Sequence, residues 1–104
     1  SLNNPSATAI ATFENCTSNN STLTANQAKI LLTENAARTY AFVQNLSSAA
    51  VTLVLGSATN AAINKGILLL PYGSYEISSN NLYVGAVSAI STSNAELSIV
   101  ECVN

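Results

Sequence analysis

The stretch Arg38–Gly56, RTYAFVQNLSSAAVTLVLG, carries the strongest strand pattern in the chain. Aromatic and branched side chains such as Tyr40, Phe42, Leu53 and Leu55 suit a pleated, half-buried surface, and the apolar pattern pauses at two consecutive serines. The stretch therefore predicts a hairpin of two strands joined by a tight turn, with the last three of these side chains buried. Because a single hairpin is only marginally stable in water, further strands are expected around it.

The rest of the chain supplies these strands as short apolar runs separated by turn residues. They are predicted at Lys29–Thr33, Ile67–Leu70, Tyr75–Ile77, Leu82–Thr92 and Glu96–Val103. A turn is predicted at Pro71-Tyr72-Gly73-Ser74, with a positive φ at Gly73, and a small-residue loop at Gly56–Lys65. About seven strands with short connections predict an all-β fold, a single antiparallel β-sandwich, with a jelly roll or a partly open barrel as alternatives.

The N-terminal segment Ser1–Thr22 is rich in Asn, Ser, Thr and Ala and lacks the periodicity of a helix. We interpret it as an extended arm that lies on a neighbouring subunit; a short edge strand and a disordered tail are the alternatives. The predicted organisation is thus an N-terminal arm at residues 1–22 and a β-sandwich domain at residues 23–104.

Composition and charge exclude several classes of partner. The 104 residues fit one domain, 8% of them are charged, and the net charge is -2. Nucleic acid and anionic membranes require clustered basic side chains, whereas this chain has only Lys29, Arg38 and Lys65. No apolar run reaches the ~18 residues of a membrane span. Neither nucleic acid nor membrane is therefore expected as a partner.

Residues suited to catalysis are few and scattered. The chain has no His or Asp, and its five acidic residues are dispersed glutamates, listed here in chain order: Glu14, Glu34, Glu76, Glu96 and Glu101. Acid-base catalysis requires His or a tuned pair of carboxylates, and a serine triad requires His. We therefore expect no catalytic residues, no cofactor and no metal site, and the chain is predicted not to be an enzyme.

The two cysteines, Cys16 and Cys102, lack CxxC spacing and His companions, which argues against zinc. Two interpretations remain at this stage. They are small buried side chains, or they form a disulfide that joins the N-terminal segment to the last strand, which requires an oxidising milieu.

Three stretches in order resemble a pattern of small bacteriophage virion proteins: Arg38–Gly56; Gly66–Ile77, GILLLPYGSYEI; and Leu82–Cys102, LYVGAVSAISTSNAELSIVEC. The shared features are an Arg-x-Tyr start, Gln-Asn, a β run that ends in Gly, a Pro-Gly-Ser-Tyr-Glu turn region, and a final strand. The resemblance spans Lys29 to Val103. Residues 1–22 and the two cysteines depart from the pattern.

This resemblance implies a virion location and a structural task. The family includes head decoration (cement) proteins and small head or tail appendages. It implies a homo-oligomer on the outer surface of the capsid or appendage that binds major capsid protein or other virion subunits and braces the phage head shell. The alternative is a carbohydrate-binding or host-attachment module of a fibre, in which Asn-rich loops and the four tyrosines contact sugars: Tyr40, Tyr72, Tyr75 and Tyr83.

Overall fold

A computed structural model describes residues 15–104. This part of the chain forms eight strands, β1 (Asn15–Leu23), β2 (Lys29–Leu32), β3 (Arg38–Asn45), β4 (Val51–Leu55), β5 (Ile67–Leu69), β6 (Ser74–Ile77), β7 (Val87–Ile90) and β8 (Ala95–Val103). A short 3-10 turn at Ala58–Asn60 interrupts the loop between β4 and β5. None of the described residues forms a helix long and apolar enough to cross a membrane.

The strands form two four-stranded antiparallel sheets. The first sheet has the order β1-β8-β3-β6 and the second sheet the order β2-β7-β4-β5. Four pairings are nested in sequence: β1 with β8, β2 with β7, β3 with β6, and β4 with β5. Nested pairing across two sheets is the arrangement of a jelly roll. The predicted antiparallel β-sandwich is confirmed, with eight strands rather than seven and with the topology that had been the alternative.

The predicted central hairpin is wrong in its pairing. Both of its strands exist as β3 and β4, but β3 pairs with β6 and β8 in the first sheet, whereas β4 pairs with β5 and β7 in the second. The segment between them carries the chain from one sheet to the other. The predicted strand at Leu82–Thr92 is also shorter in the structure, where β7 covers Val87–Ile90.

Part of the predicted arm belongs to the sandwich. Residues 15–23 form β1, which pairs with β8 in register along its whole length, from Asn15 opposite Val103 to Leu23 opposite Ala95. The edge-strand alternative therefore describes this part of the chain. The remainder of the predicted arm, residues 1–14, lies outside the described residues.

The core lies between the sheets and is made of small and medium apolar side chains. All eight strands contribute to it: Leu23, Leu32, Ala41, Val43, Val51, Leu53, Leu69, Ile77, Val87, Ala89, Leu97 and Ile99. Leu53 is fully buried, as predicted. Phe42 and Leu55 were predicted to be buried as well, but Phe42 is half-buried and Leu55 is 38% exposed. Phe42 lies between the buried Ala41 and Val43, so strand alternation turns it to the outer face.

The loop between β4 and β5 folds over the outer face of the second sheet. The Ser88 hydroxyl donates to the carbonyl oxygen of Gly56 at 2.8 Å, and the Asn64 amide donates to the Thr52 hydroxyl at 3.0 Å. A Cβ at Gly66 would clash with the carbonyl oxygen of Leu53, so the return of the loop requires glycine. Ser88 and Thr52 are buried because this loop covers them.

Candidate docking surface and its supports

An exposed apolar surface lies along the end of β5 and the turn that follows it. We call Leu68, Leu70 and Tyr72 the apolar ridge; they are 50%, 59% and 65% exposed. Leu68 lies on β5, and Leu70 and Tyr72 lie in the turn that directly follows the strand. Large apolar side chains that are gathered rather than scattered indicate an interaction surface. The sequence did not predict the ridge, because Ile67–Leu70 is a continuous apolar run and such runs usually indicate a buried strand.

The turn after β5 differs from the predicted one by a single position. The Gly73 amide donates to the Leu70 carbonyl at 2.7 Å, so the turn comprises residues 70–73, with Pro71 at its second position. The positive φ, 63°, is at Tyr72, the position where a type II turn requires it. The prediction of a positive φ at Gly73 is wrong. Tyr72 consequently stands out from the surface, which extends the apolar ridge.

The side chain of Asn45 hydrogen-bonds to the backbone that carries the apolar ridge. This residue is fully buried at the end of β3. Its side-chain nitrogen donates to the carbonyl oxygens of Ala49, Leu69 and Leu70 at 2.6, 3.1 and 3.3 Å. Its side-chain oxygen accepts from the amide and the hydroxyl of Ser47 at 2.9 and 2.7 Å. One amide thus holds both the β3–β4 connection and the backbone of the ridge.

Two further hydrogen bonds attach the turn to β3. The backbone N–H of Asn45 donates to the Gly73 carbonyl at 2.9 Å, and the side-chain nitrogen of Gln44 donates to the Tyr72 carbonyl at 3.1 Å. The ridge is therefore supported on a fixed backbone, which reduces the conformational entropy lost when it binds a partner.

Arg38 is buried at the opposite end of β3. The register between β3 and β8 shifts between Arg38 and Tyr40, so one residue is bulged and Arg38 turns inward. Its Nε lies 2.8 Å from Glu101 Oε2, its Nη1 donates to the carbonyls of Tyr83 and Gly85, and its Nη2 donates to the carbonyl of Thr33. The guanidinium thus connects the first sheet to the segments that flank β2 and β7.

The two cysteines are joined. Cys16 on β1 and Cys102 on β8 lie directly opposite each other and form a disulfide that spans 86 residues of sequence. Of the two interpretations from sequence, the structure has the cross-link. The cross-link lies near the start of β1, where residues 15–20 are exposed. It attaches to the sheet a strand end that buries little surface of its own.

The four tyrosines do not gather on one surface. Tyr75 and Tyr83 pack against the core, Tyr72 belongs to the apolar ridge, and Tyr40 lies on β3. The Tyr40 hydroxyl donates to Glu76 Oε2 at 2.7 Å. Burial, this hydrogen bond and the charge of the carboxylate raise the pKa of Tyr40 above its usual value of 10.0. A sugar-binding platform made of all four rings is therefore excluded.

The described glutamates also have separate environments. Glu76 accepts from Tyr40, Glu96 accepts from Asn20, and Glu101 pairs with Arg38. Glu34 is exposed, and Glu14 lies outside the described residues. Within residues 15–104, no group of three metal-ligating side chains comes together and no pocket opens between the elements.

Comparison with known proteins adds one distant likeness. No protein-family model and no curated protein matches the chain. A solved structure described as "Bacillus endospore appendages form a novel family of disulfide-linked pili" is similar, at 13% identity and a TM-score of 0.44, over 86% of this chain and 90% of that chain. A TM-score at this level carries no inference about function.

Proposed function

We propose that this chain is a non-catalytic structural protein of a bacteriophage virion, a decoration (cement) subunit on the outer surface of the capsid that braces the phage head shell. The apolar ridge at Leu68, Leu70 and Tyr72 is the observation that carries the proposal. It is the surface that docks on the major capsid protein. The resemblance of residues 29–103 to small virion proteins supports the virion setting.

Docking depends on apolar burial and uncharged hydrogen bonds rather than on ion pairs. Arg38 is buried against Glu101, which leaves Lys29 and Lys65 as the exposed basic side chains. Burial of apolar surface contributes about 25 cal/mol per Å² and depends little on salt, whereas contacts between exposed charges weaken as ionic strength rises. Retention on shells is therefore expected to change little between low and high ionic strength.

Sedimentation of the full chain with empty shells tests the proposal. Leu70→Ser removes the centre of the apolar ridge, and Leu82→Ser is the matched control, since Leu82 is equally apolar and 50% exposed but lies outside the ridge. We expect Leu70→Ser to reduce binding at least about tenfold, as truncation at the centre of an interface does. Leu82→Ser should bind like the wild type. Equal binding by Leu70→Ser, or loss of wild-type binding at high salt, would contradict the proposal.

A host-attachment module is the second candidate, and one observation favours it. Tyr40 and Phe42 both lie on the outer face of β3, and Tyr40 shares a hydrogen bond with Glu76. An aromatic face next to a carboxylate suits a sugar ring and its hydroxyls. If the wild type binds host polysaccharide but not shells, and Tyr40→Ala loses that binding while Leu70→Ser keeps it, this function replaces the decoration role.

A further inference from the structure

In the part of the chain that the structure describes, four strands form the edges of the two sheets, and three of these edges are protected. β2, β5 and β6 have four, three and four residues. β2 also contains a register shift and begins at Lys29, and β6 contains Glu76. Short length, charge and bulges are the features by which proteins prevent edge strands from pairing with other chains.

β1 is the unprotected edge. It has nine residues, NCTSNNSTL, with no charge and no proline, and it pairs with β8 without a register shift. Within residues 15–104, no strand pairs with its other side. At roughly 3.4 Å per residue, this open edge is about 30 Å long.

The spacing of β1 and β8 shows which backbone groups face the open side. The Cα atoms of Cys16 and Cys102 are 4.0 Å apart, and antiparallel partners this close form a non-hydrogen-bonded pair. The backbone N–H and C=O of Cys16 therefore point away from β8. Because this direction alternates along an antiparallel strand, the backbone N–H and C=O groups of Ser18, Asn20 and Thr22 also point away from β8.

Hydrogen bonds on the other side of β8 agree with this alternation. The Glu96 carbonyl, opposite Thr22, accepts from the Leu46 amide at 2.8 Å, and the Cys102 carbonyl accepts from the Thr39 hydroxyl at 3.3 Å. Both carbonyls thus face β3 and not β1. On the open side of β1, Lys29 Nζ donates to the Thr22 carbonyl at 3.1 Å. Among residues 15–104, no backbone group pairs with the outward N–H and C=O groups of Cys16, Ser18 and Asn20.

We propose that the β1 edge pairs antiparallel with β1 of a second copy of this chain, about a two-fold axis at Ser18. Ser18 then faces Ser18 of the second copy, and Cys16 faces Asn20 of the second copy, which joins the two first sheets into one. A two-fold axis places the side chain at its centre next to its own copy and pairs every other residue of the edge with another residue of the same uncharged strand, so no like charges meet. Pairing with β6 of another copy would match nine residues with four and place Glu76 in the contact. The pairing is independent of the proposed docking on shells.

Three variants of Ser18 in the full, disulfide-bonded chain separate edge pairing from folding. Ser18→Pro removes an N–H that points away from β8, so it blocks the edge without removing a hydrogen bond to β8. Ser18→Lys places two like charges opposite each other across the axis. Ser18→Ala changes the side chain but keeps the N–H, and is the matched control.

Sedimentation velocity over a concentration series should show a dimer for the wild type and Ser18→Ala. Self-association of Ser18→Pro and Ser18→Lys should be weaker by about tenfold or more, because central backbone hydrogen bonds are lost or like charges oppose each other. Added salt should partly restore the Ser18→Lys dimer and leave Ser18→Pro monomeric. A monomeric wild type, or dimers of both variants as strong as wild type, would overturn the proposal.

Amide hydrogen exchange on the wild type gives a test that needs no substitution. In the dimer, the amides of Cys16, Ser18 and Asn20 should be protected, and dilution to monomer should expose these three while the amides of Thr17 and Asn19, which face β8, stay protected. Exchange of the first three that is fast in the dimer overturns the proposal. Protection that persists in the monomer overturns it as well, since it would show that the same chain covers the edge.

Discussion

Asn45 is fully buried, and its side-chain amide joins the β3–β4 connection to the end of β5 and the turn after it. We expect Asn45→Ala to lower the free energy of unfolding by about 2 to 4 kcal/mol, because carbonyls of Ala49, Leu69 and Leu70 lose their donor inside the protein. Urea denaturation measures this change. Asn60→Ala is the control: Asn60 is exposed, and its replacement should cost less than about 0.5 kcal/mol. Equal effects of the two substitutions would show that the Asn45 network is unimportant.

The turn residues Tyr72 and Gly73 should respond to substitution in opposite directions. Tyr72 has a φ of 63°, which costs a residue with a side chain about 1 to 2 kcal/mol, so Tyr72→Gly should be neutral or stabilise the fold by up to about 1 kcal/mol. Gly73→Ala should destabilise, because its Cβ would lie 3.0 Å from the Leu70 carbonyl oxygen. Thermal unfolding of both variants checks the contrast. The reverse order of stability would contradict this turn geometry.

Tyr40 predicts how stability depends on pH at the alkaline end. Burial and the contact with Glu76 raise the pKa of Tyr40 above 10.0 in the folded state. A group whose pKa is higher in the folded state than in the unfolded state stabilises the folded protein when the pH is below the unfolded-state pKa. This contribution to stability is lost as the pH rises through the folded-state pKa. The wild type should therefore lose stability relative to Tyr40→Phe as pH rises above about 10. A stability difference that stays constant between neutral and alkaline pH would show that Tyr40 titrates normally.

Among the elements, strand positions could be predicted but strand partners could not. Local apolar patterns located β2, β3, β4, β5, β6 and β8, because each carries its own branched or aromatic side chains. β1 has no large apolar or aromatic side chain before Leu23. Its pairing with β8 and the disulfide make it a strand. The connection between β3 and β4 resembles a hairpin turn in composition, yet it crosses between sheets. In a jelly roll the partners are distant in sequence, so no short window contains them.

The large sequence separation of the paired strands also explains why the apolar ridge and the burial of Arg38 could not be predicted from sequence. The run Ile67–Leu70 is uniformly apolar, yet Leu68 lies on the outward face of β5 and Leu70 lies in the turn after it, so both are exposed. Arg38 is buried because a bulge beside it reverses the side-chain alternation of β3. Neither the exposure of these leucines nor the burial of Arg38 can be predicted from the neighbouring sequence, since both depend on strands that only the fold brings together.

The disulfide between β1 and β8 gives the prediction that belongs to the elements. It closes a loop of 86 residues, and loops of this length correspond to about 2 to 5 kcal/mol of stabilisation. Reduction should lower the unfolding free energy by this amount, and thiol titration of the unreduced protein should find no free thiol. Cys16→Ser/Cys102→Ser should match the reduced wild type and be insensitive to reductant. Reduction without loss of stability would show that β1 is held by its hydrogen bonds alone.

For the whole molecule, the two sheets are held together by the core and, at one end, by Arg38. Its guanidinium pairs with Glu101 on the first sheet and donates to three carbonyls in the segments that follow β2 and precede β7 of the second sheet. Removal of this buried guanidinium is costly, because its four hydrogen-bond acceptors lose their donor and Glu101 loses its ion pair. Lysine cannot replace it, since one ammonium lacks the planar fork that reaches these acceptors together.

Arg38→Lys and Arg38→Leu should therefore each destabilise the sandwich by about 3 to 5 kcal/mol. Arg38→Leu/Glu101→Leu should recover part of this loss, because the double change leaves no unpaired carboxylate. Lys65→Leu, at an exposed position, is the control and should change stability by less than about 0.5 kcal/mol. Denaturant unfolding of the wild type, Arg38→Leu, Glu101→Leu and the double variant gives the coupling energy between Arg38 and Glu101. If Arg38→Lys is as stable as the wild type, the guanidinium does not hold the two sheets together at this end, and the packed core alone joins them.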